Sequence, residues 1–203
     1  MAVENRAFLE MLKPAKERLR GRPVGDIAAN TQIEFRRKQQ EFYLSGLGRE
    51  ITVSYPSYDV EPSWNEWHVL MLLHYMDMAD GTPLSSELIT FGELKEGMVR
   101  GGGFDRKCEN VIRTVIGKKE PEKVRKACTE LGAEFIPSKA DLCAVFKPFP
   151  RYPVTFNIWF ADEELEGSGR MLLNANAEHY LSVEDAVTAG ELILEELTRR
   201  LSS

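Results

Sequence analysis

Asp141-Leu-Cys-Ala-Val-Phe-Lys-Pro-Phe-Pro-Arg-Tyr-Pro-Val-Thr-Phe-Asn-Ile-Trp-Phe160 is the stretch on which the reading of this 203-residue chain turns. Two runs, 142–147 and 153–160, are rich in β-branched and aromatic residues. Between them Pro148, Pro150 and Pro153 make a corner that neither a strand nor a helix is expected to cross. The expectation is therefore strand, rigid turn, strand. In the first run Leu142, Ala144 and Phe146 point one way and Cys143 and Val145 the other, and both sets are apolar, so this strand belongs at the centre of a sheet. In the second, Val154, Phe156, Ile158 and Phe160 share a core face, while Thr155, Asn157 and Trp159 share the opposite one. That second set joins hydrogen-bonding groups to one large aromatic, the composition of a pocket wall; a tryptophan packed under a covering helix is the plainer alternative.

Beyond the second strand stand Asp162, Glu163, Glu164 and Glu166. A carboxylate cluster at a strand end can bind a metal or supply an acid/base pair, but with no His or Asn at ligand spacing it equally describes a solvated acidic loop. No metal site is assigned on this basis. His179 and Tyr180, just ahead of the last helix, are candidates to meet this loop in space.

Working back through the chain, residues 65–79 are strongly helical. Asn65, Glu66, Asp77 and Asp80 collect in one narrow sector, which leaves Trp64, Trp67, Met71, Tyr75 and Met78 on a wide apolar face. His68 and His74 lie on different sides and cannot form the i, i+4 pair that chelates a metal, so each reads as a satisfied, partly buried histidine. Residues 31–55 alternate through Ile33, Phe35, Phe42, Leu44, Ile51, Val53 and Tyr55, which describes a three-strand antiparallel meander; a helix through 33–44 competes with it. A helix over 4–20 is expected to break or kink at Pro14. Gly101-Gly102-Gly103 reads as a flexible connector, with Asp105 capping a helix over 105–116. A further helix opens at Pro121, and the last, 183–201, opens on Ser182 with Asp185 three residues on and carries Gly190 at a close contact. Strands grouped apart from helices indicate an α+β fold: a single domain over 1–203, with one antiparallel sheet, built from the meander and the later strand pair, packed against several helices.

Twenty-six basic against 32 acidic residues leave a net charge of -6, which speaks against nucleic acid or an anionic membrane surface as the main partner. With no signal-type leader and no run of roughly 20 apolar residues, a cytoplasmic location is expected. Cys108, Cys128 and Cys143 are widely spaced and read as buried core thiols of a reducing compartment.

Lys147-Pro148-Phe149-Pro150-Arg151-Tyr152-Pro153, Ile158-Trp159-Phe160, Asp162-Glu163-Glu164, Leu172-Leu173-Asn174, Tyr180-Leu181 and Glu184-Asp185 together resemble the signature half of domain-of-unknown-function family 3786. Leu72-Leu73-His74-Tyr75 and Leu88-Ile89-Thr90-Phe91-Gly92-Glu93-Leu94 are similar to its first half. The resemblance implies a soluble domain of anaerobic bacteria and archaea with no assigned activity, in some relatives joined to an iron–sulfur-binding module. The chain departs from the family at Leu173-Asn174, where Phe-Asp is usual, and at Leu165-Glu166, where Phe-Pro is usual.

No cofactor is legible, and two functions remain. One is a non-catalytic accessory domain that binds a small molecule or a protein partner, with homo-oligomerisation compatible with it. The other is a metal-assisted or acid/base enzyme that uses the acidic loop. The candidate ligand-binding residues are Trp159, Asn157, Asp162, Glu163, His74 and His179.

Overall fold

The computed structural model describes residues 6–202. In the N-terminal part, alternation prevails over helix propensity. Glu34–Arg36 (β1), Glu41–Gly46 (β2) and Arg49–Ser54 (β3) form an antiparallel meander, which Val60–Glu61 (β4) extends. Phe42 stands opposite Val53 and Leu44 opposite Ile51, all four buried on one face. A helix through 33–44 would have spread these apolar residues around its circumference instead. Gln40, Leu47 and Gly48 take positive φ at the two turns.

The quoted stretch builds a second, separate sheet. Its strands are Leu88–Ile89 (β5), Glu134–Phe135 (β6), Leu142–Phe149 (β7), Tyr152–Trp159 (β8) and Ser168–Asn174 (β9), all antiparallel in the order β5-β9-β8-β7-β6. The expectation of one sheet is thus corrected to two, which meet where the backbone of Gly46 lies against the Pro148 carbonyl too closely for any side chain at Gly46. The middle strand is β8; β7 lies beside it, paired on both flanks. The proline corner is also smaller than expected, because β7 runs through Pro148 and β8 through Pro153. The register shifts between Phe146 and Phe149, so both prolines fall where the ladder skips and no N–H is asked of them.

Among the described residues six α-helices cover this framework: Arg6–Arg20 (α1), Val24–Thr31 (α2), Glu66–Met78 (α3), Arg100–Thr114 (α4), Pro121–Glu130 (α5) and Val183–Ser202 (α6). Pro14 lies inside α1 without ending it. The glycines 101–103 are not a connector but the first turn of α4. Gly101 belongs there because a Cβ at that position would collide with the Phe91 backbone. Asp105 does not cap α4; its carboxylate accepts the amides of Phe91 (3.2 Å) and Gly92 (2.8 Å) and ties the preceding short turn to the helix. Around α3, His68 to Leu73, Tyr75 and Met76 are buried, whereas Trp67 and Met78, expected on the apolar face, are exposed. Asn65 caps this helix through the amides of Trp67 and His68.

One continuous core joins both sheets and all six helices. Val154, Phe156 and Ile158 of β8 are fully buried in it, as their alternation predicts. Cys108 and Ile112, one helical turn apart on α4, face β9. All three cysteines are buried and unpaired, and burial pushes the Cys108 and Cys128 thiols up to about 12, the mark of inert core groups. Among the described residues no helix is long and apolar enough to cross a membrane.

Candidate functional site

Trp159 closes β8 opposite Ser168, the first residue of β9. It is half-buried, and its indole N–H donates to the Lys139 carbonyl at 3.2 Å, which holds the ring in place. The ring lines a cleft of about 580 Å³ that lies between the start of β9 and α4. Helical spacing supplies the opposite wall. Because Cys108 and Ile112 turn inward, Arg106, Asn110 and Arg113, at i, i+4 and i+7, share a face toward the cleft. Gly169 and Arg170 of β9 complete it.

The electrostatics here run against those of the whole protein. Arg113 is engaged with Glu166 (3.3 Å) and with the Asn110 side chain (3.1 Å). Arg106 and Arg170 have no carboxylate partner among the described residues. Among the described residues Glu109 is the one acid in the lining, set against three guanidinium groups on a chain of net charge -6.

The residues singled out in the sequence fall in three places. Trp159 lines the cleft, and Asn157 stands next to it on the same sheet face, opposite Arg170, with a buried side-chain oxygen that has no partner. Asp162 and Glu163 are exposed in the β8–β9 loop. The Asp162 carboxylate accepts the amides of Leu165 (2.7 Å) and Glu164 (2.8 Å), which hold its pKa below the ordinary range and close the loop on itself. His74 and His179 lie elsewhere. The Nδ1 of His74 is 3.0 Å from both carboxylate oxygens of Asp185, which also accepts the Ser182 hydroxyl. The Nδ1 of His179 is 2.6 Å from Asp80, whose carboxyl this contact holds down at about 2. His179 follows the far end of β9, so the seven-residue strand, roughly 20 Å long, separates it from the acidic loop. The anticipated meeting of His179 with that loop does not occur. Among the described residues no three His, Cys, Asp or Glu side chains group in a way that could hold a metal.

His68 departs from expectation differently. It is fully buried between Trp64 (ring centroids 4.9 Å apart) and Phe149 (5.9 Å), and neither ring nitrogen has a partner. Burial pushes its pKa down to about 4, so it packs as a neutral aromatic.

Residues 24–196 match the family described as domain of unknown function (DUF3786). The chain belongs to this family. The DUF3786 match takes in both sheets and every residue that lines the cleft, while α1 lies ahead of it. No curated protein and no solved structure matches the chain significantly.

The sequence reading missed Arg106, Arg113 and Arg170. The first two do show a signal, basic residues at i and i+7 about a polar i+4, but that pattern is the same as an ordinary solvated helix face. Arg170 carries no local signal; only the pairing of β8 with β9 brings it beside Trp159.

Proposed function

We propose that this DUF3786 domain is a binding module, and that the cleft between α4 and the start of β9 takes up a ligand bearing a carboxylate or phosphate. One observation carries the reading: Arg106 and Arg170 line a concave site beside Trp159 with no carboxylate partner among the described residues, on a protein whose net charge is -6. Guanidinium groups without a carboxylate partner that line one concave site attract anions together, and their fork geometry matches carboxylate and phosphate oxygens. Trp159 offers a flat apolar face for the remainder of the ligand. A volume of about 580 Å³ suits a small organic anion or a short segment of chain. The acidic loop supports this reading better than an enzymatic one, because the Asp162 carboxylate is already occupied by two backbone amides.

Isothermal titration calorimetry with citrate and with inorganic pyrophosphate tests the proposal. At least one of them should bind, and Arg106→Ala and Arg170→Ala should each weaken it by roughly tenfold, about 1.4 kcal/mol. Failure of both probes to bind, or undiminished binding by the double variant, overturns it.

A further inference from the structure

We propose that Glu166 is an internal competitor for this cleft: its carboxylate stands on Arg113 where an anionic group of the ligand would otherwise sit, and it must leave before a ligand can engage all three arginines. The inference rests on the anion-binding reading above and adds to it the regulation of the same site.

One arginine of the lining already holds a carboxylate, and this is the first observation. Arg113 donates through Nη1 to Glu166 Oε2 at 3.3 Å and through Nη2 to the side-chain oxygen of Asn110 at 3.1 Å. Asn110 lines the cleft too, so the guanidinium is aimed by a member of its own wall. Glu166 comes instead from the β8–β9 loop. Glu109, although it belongs to the lining, forms no ion pair with these arginines among the described residues. The carboxylate on Arg113 is therefore the loop's and not the wall's.

The second observation is how the loop presents it. The Asp162 carboxylate accepts the amides of Glu164 and Leu165, and the Asp162 amide donates to the Leu165 carbonyl at 3.1 Å. Ahead of this turn the Ala161 amide donates to the Gly117 carbonyl at 2.8 Å. Behind it Gly167 lies so close to the same residue that a Cβ there would come within 2.8 Å of the Gly117 Cα. The backbone is thus fixed on both sides of Glu166, and the side chain is the part left to move. A carboxylate tethered so near its partner competes at an effective concentration on the order of millimolar or more. The pair nonetheless opens at little cost, because the Arg113 and Glu166 side chains are 54% and 67% exposed and ion pairs in solvent are weak. Such a contact lowers the affinity for a ligand without closing the site.

Calorimetric titration of the intact protein with citrate and with inorganic pyrophosphate, repeated on Glu166→Gln and on Glu163→Gln, tests this. Glu163 lies in the same loop and pairs with no arginine among the described residues, so its substitution removes the same charge without freeing Arg113. Glu166→Gln should tighten whichever probe binds by roughly two- to fivefold, the scale of an exposed ion pair, and Glu163→Gln by less than half as much. In the parent protein the Arg113 Nε–H resonance should move as that probe is added and takes the place of Glu166. Equal effects of the two substitutions, or an Arg113 resonance that stays in place at saturation, overturn this inference and leave the anion-binding reading standing. If neither probe binds the parent or Glu166→Gln, both fall.

Discussion

The ring of Phe104, on α4, fills the space that a side chain on Gly190, on α6, would need. This contact lets the two helices approach closely, and Phe104 is only 2% exposed, so it has nowhere to swing. Gly190→Ala would gain up to about 1 kcal/mol in helix propensity. Overpacking a buried contact costs about 1–3 kcal/mol, and here it prevails. Urea denaturation should show a net loss of about 1–2 kcal/mol, most of it restored by adding Phe104→Leu. A single variant as stable as the parent would show that the helices can part without cost.

His68 makes stability depend on acid. Its folded pKa of about 4 lies below its ordinary value of 6.5, so between those pH values the unfolded chain takes up a proton that the folded one refuses. Stability is complete above pH about 6.5 and falls as pH drops toward 4, by about 3 kcal/mol in all. Replacing a buried imidazole that has no hydrogen-bond partner with an apolar group of similar size removes that loss at little cost. His68→Leu should stay within about 1 kcal/mol of the parent at pH 8 and flatten the slope from pH 6.5 to 4. An unchanged slope would assign the acid sensitivity to other groups.

Asp105 holds two backbone amides, those of Phe91 and Gly92, in a partly buried site. Asp105→Ala orphans both, and the expected cost is about 1–3 kcal/mol. Hydrogen exchange at these two amides should accelerate before global unfolding does. If both stay protected, the short turn is held by packing of Phe91 alone.

Trp159 separates a wall from a core. It is half-buried and anchored at its rim by the Lys139 carbonyl. Trp159→Ala should therefore cost about 1 kcal/mol, well under the ~3–5 kcal/mol of a fully buried aromatic, and weaken the binding of citrate or pyrophosphate at least tenfold. A loss of stability at the core level would remove Trp159 from the site.

Much of the framework is legible in single elements. The alternation of Val154, Phe156 and Ile158, the apolar stripe of α6 and the cap at Ser182 each state their conformation locally, because the period of the pattern is the period of the structure. Pro148 and Pro153 misled because a proline's cost depends on whether its missing N–H would have been used. A register shift spared both, and no local pattern announces such a shift.

By itself the sequence determined the fold class, the buried face of β8 and the family to which the chain belongs, since all of these follow from patterns within a few residues of one another. The tertiary structure alone decided that the strands divide into two sheets, that His74 and His179 find separate aspartates far from the acidic loop, and that Arg106 and Arg170, distant in the chain, share a cleft with Trp159. The reason is physical: a solvated arginine and a binding arginine have the same local surroundings, and only the packing of α4 against β9 makes one into the other.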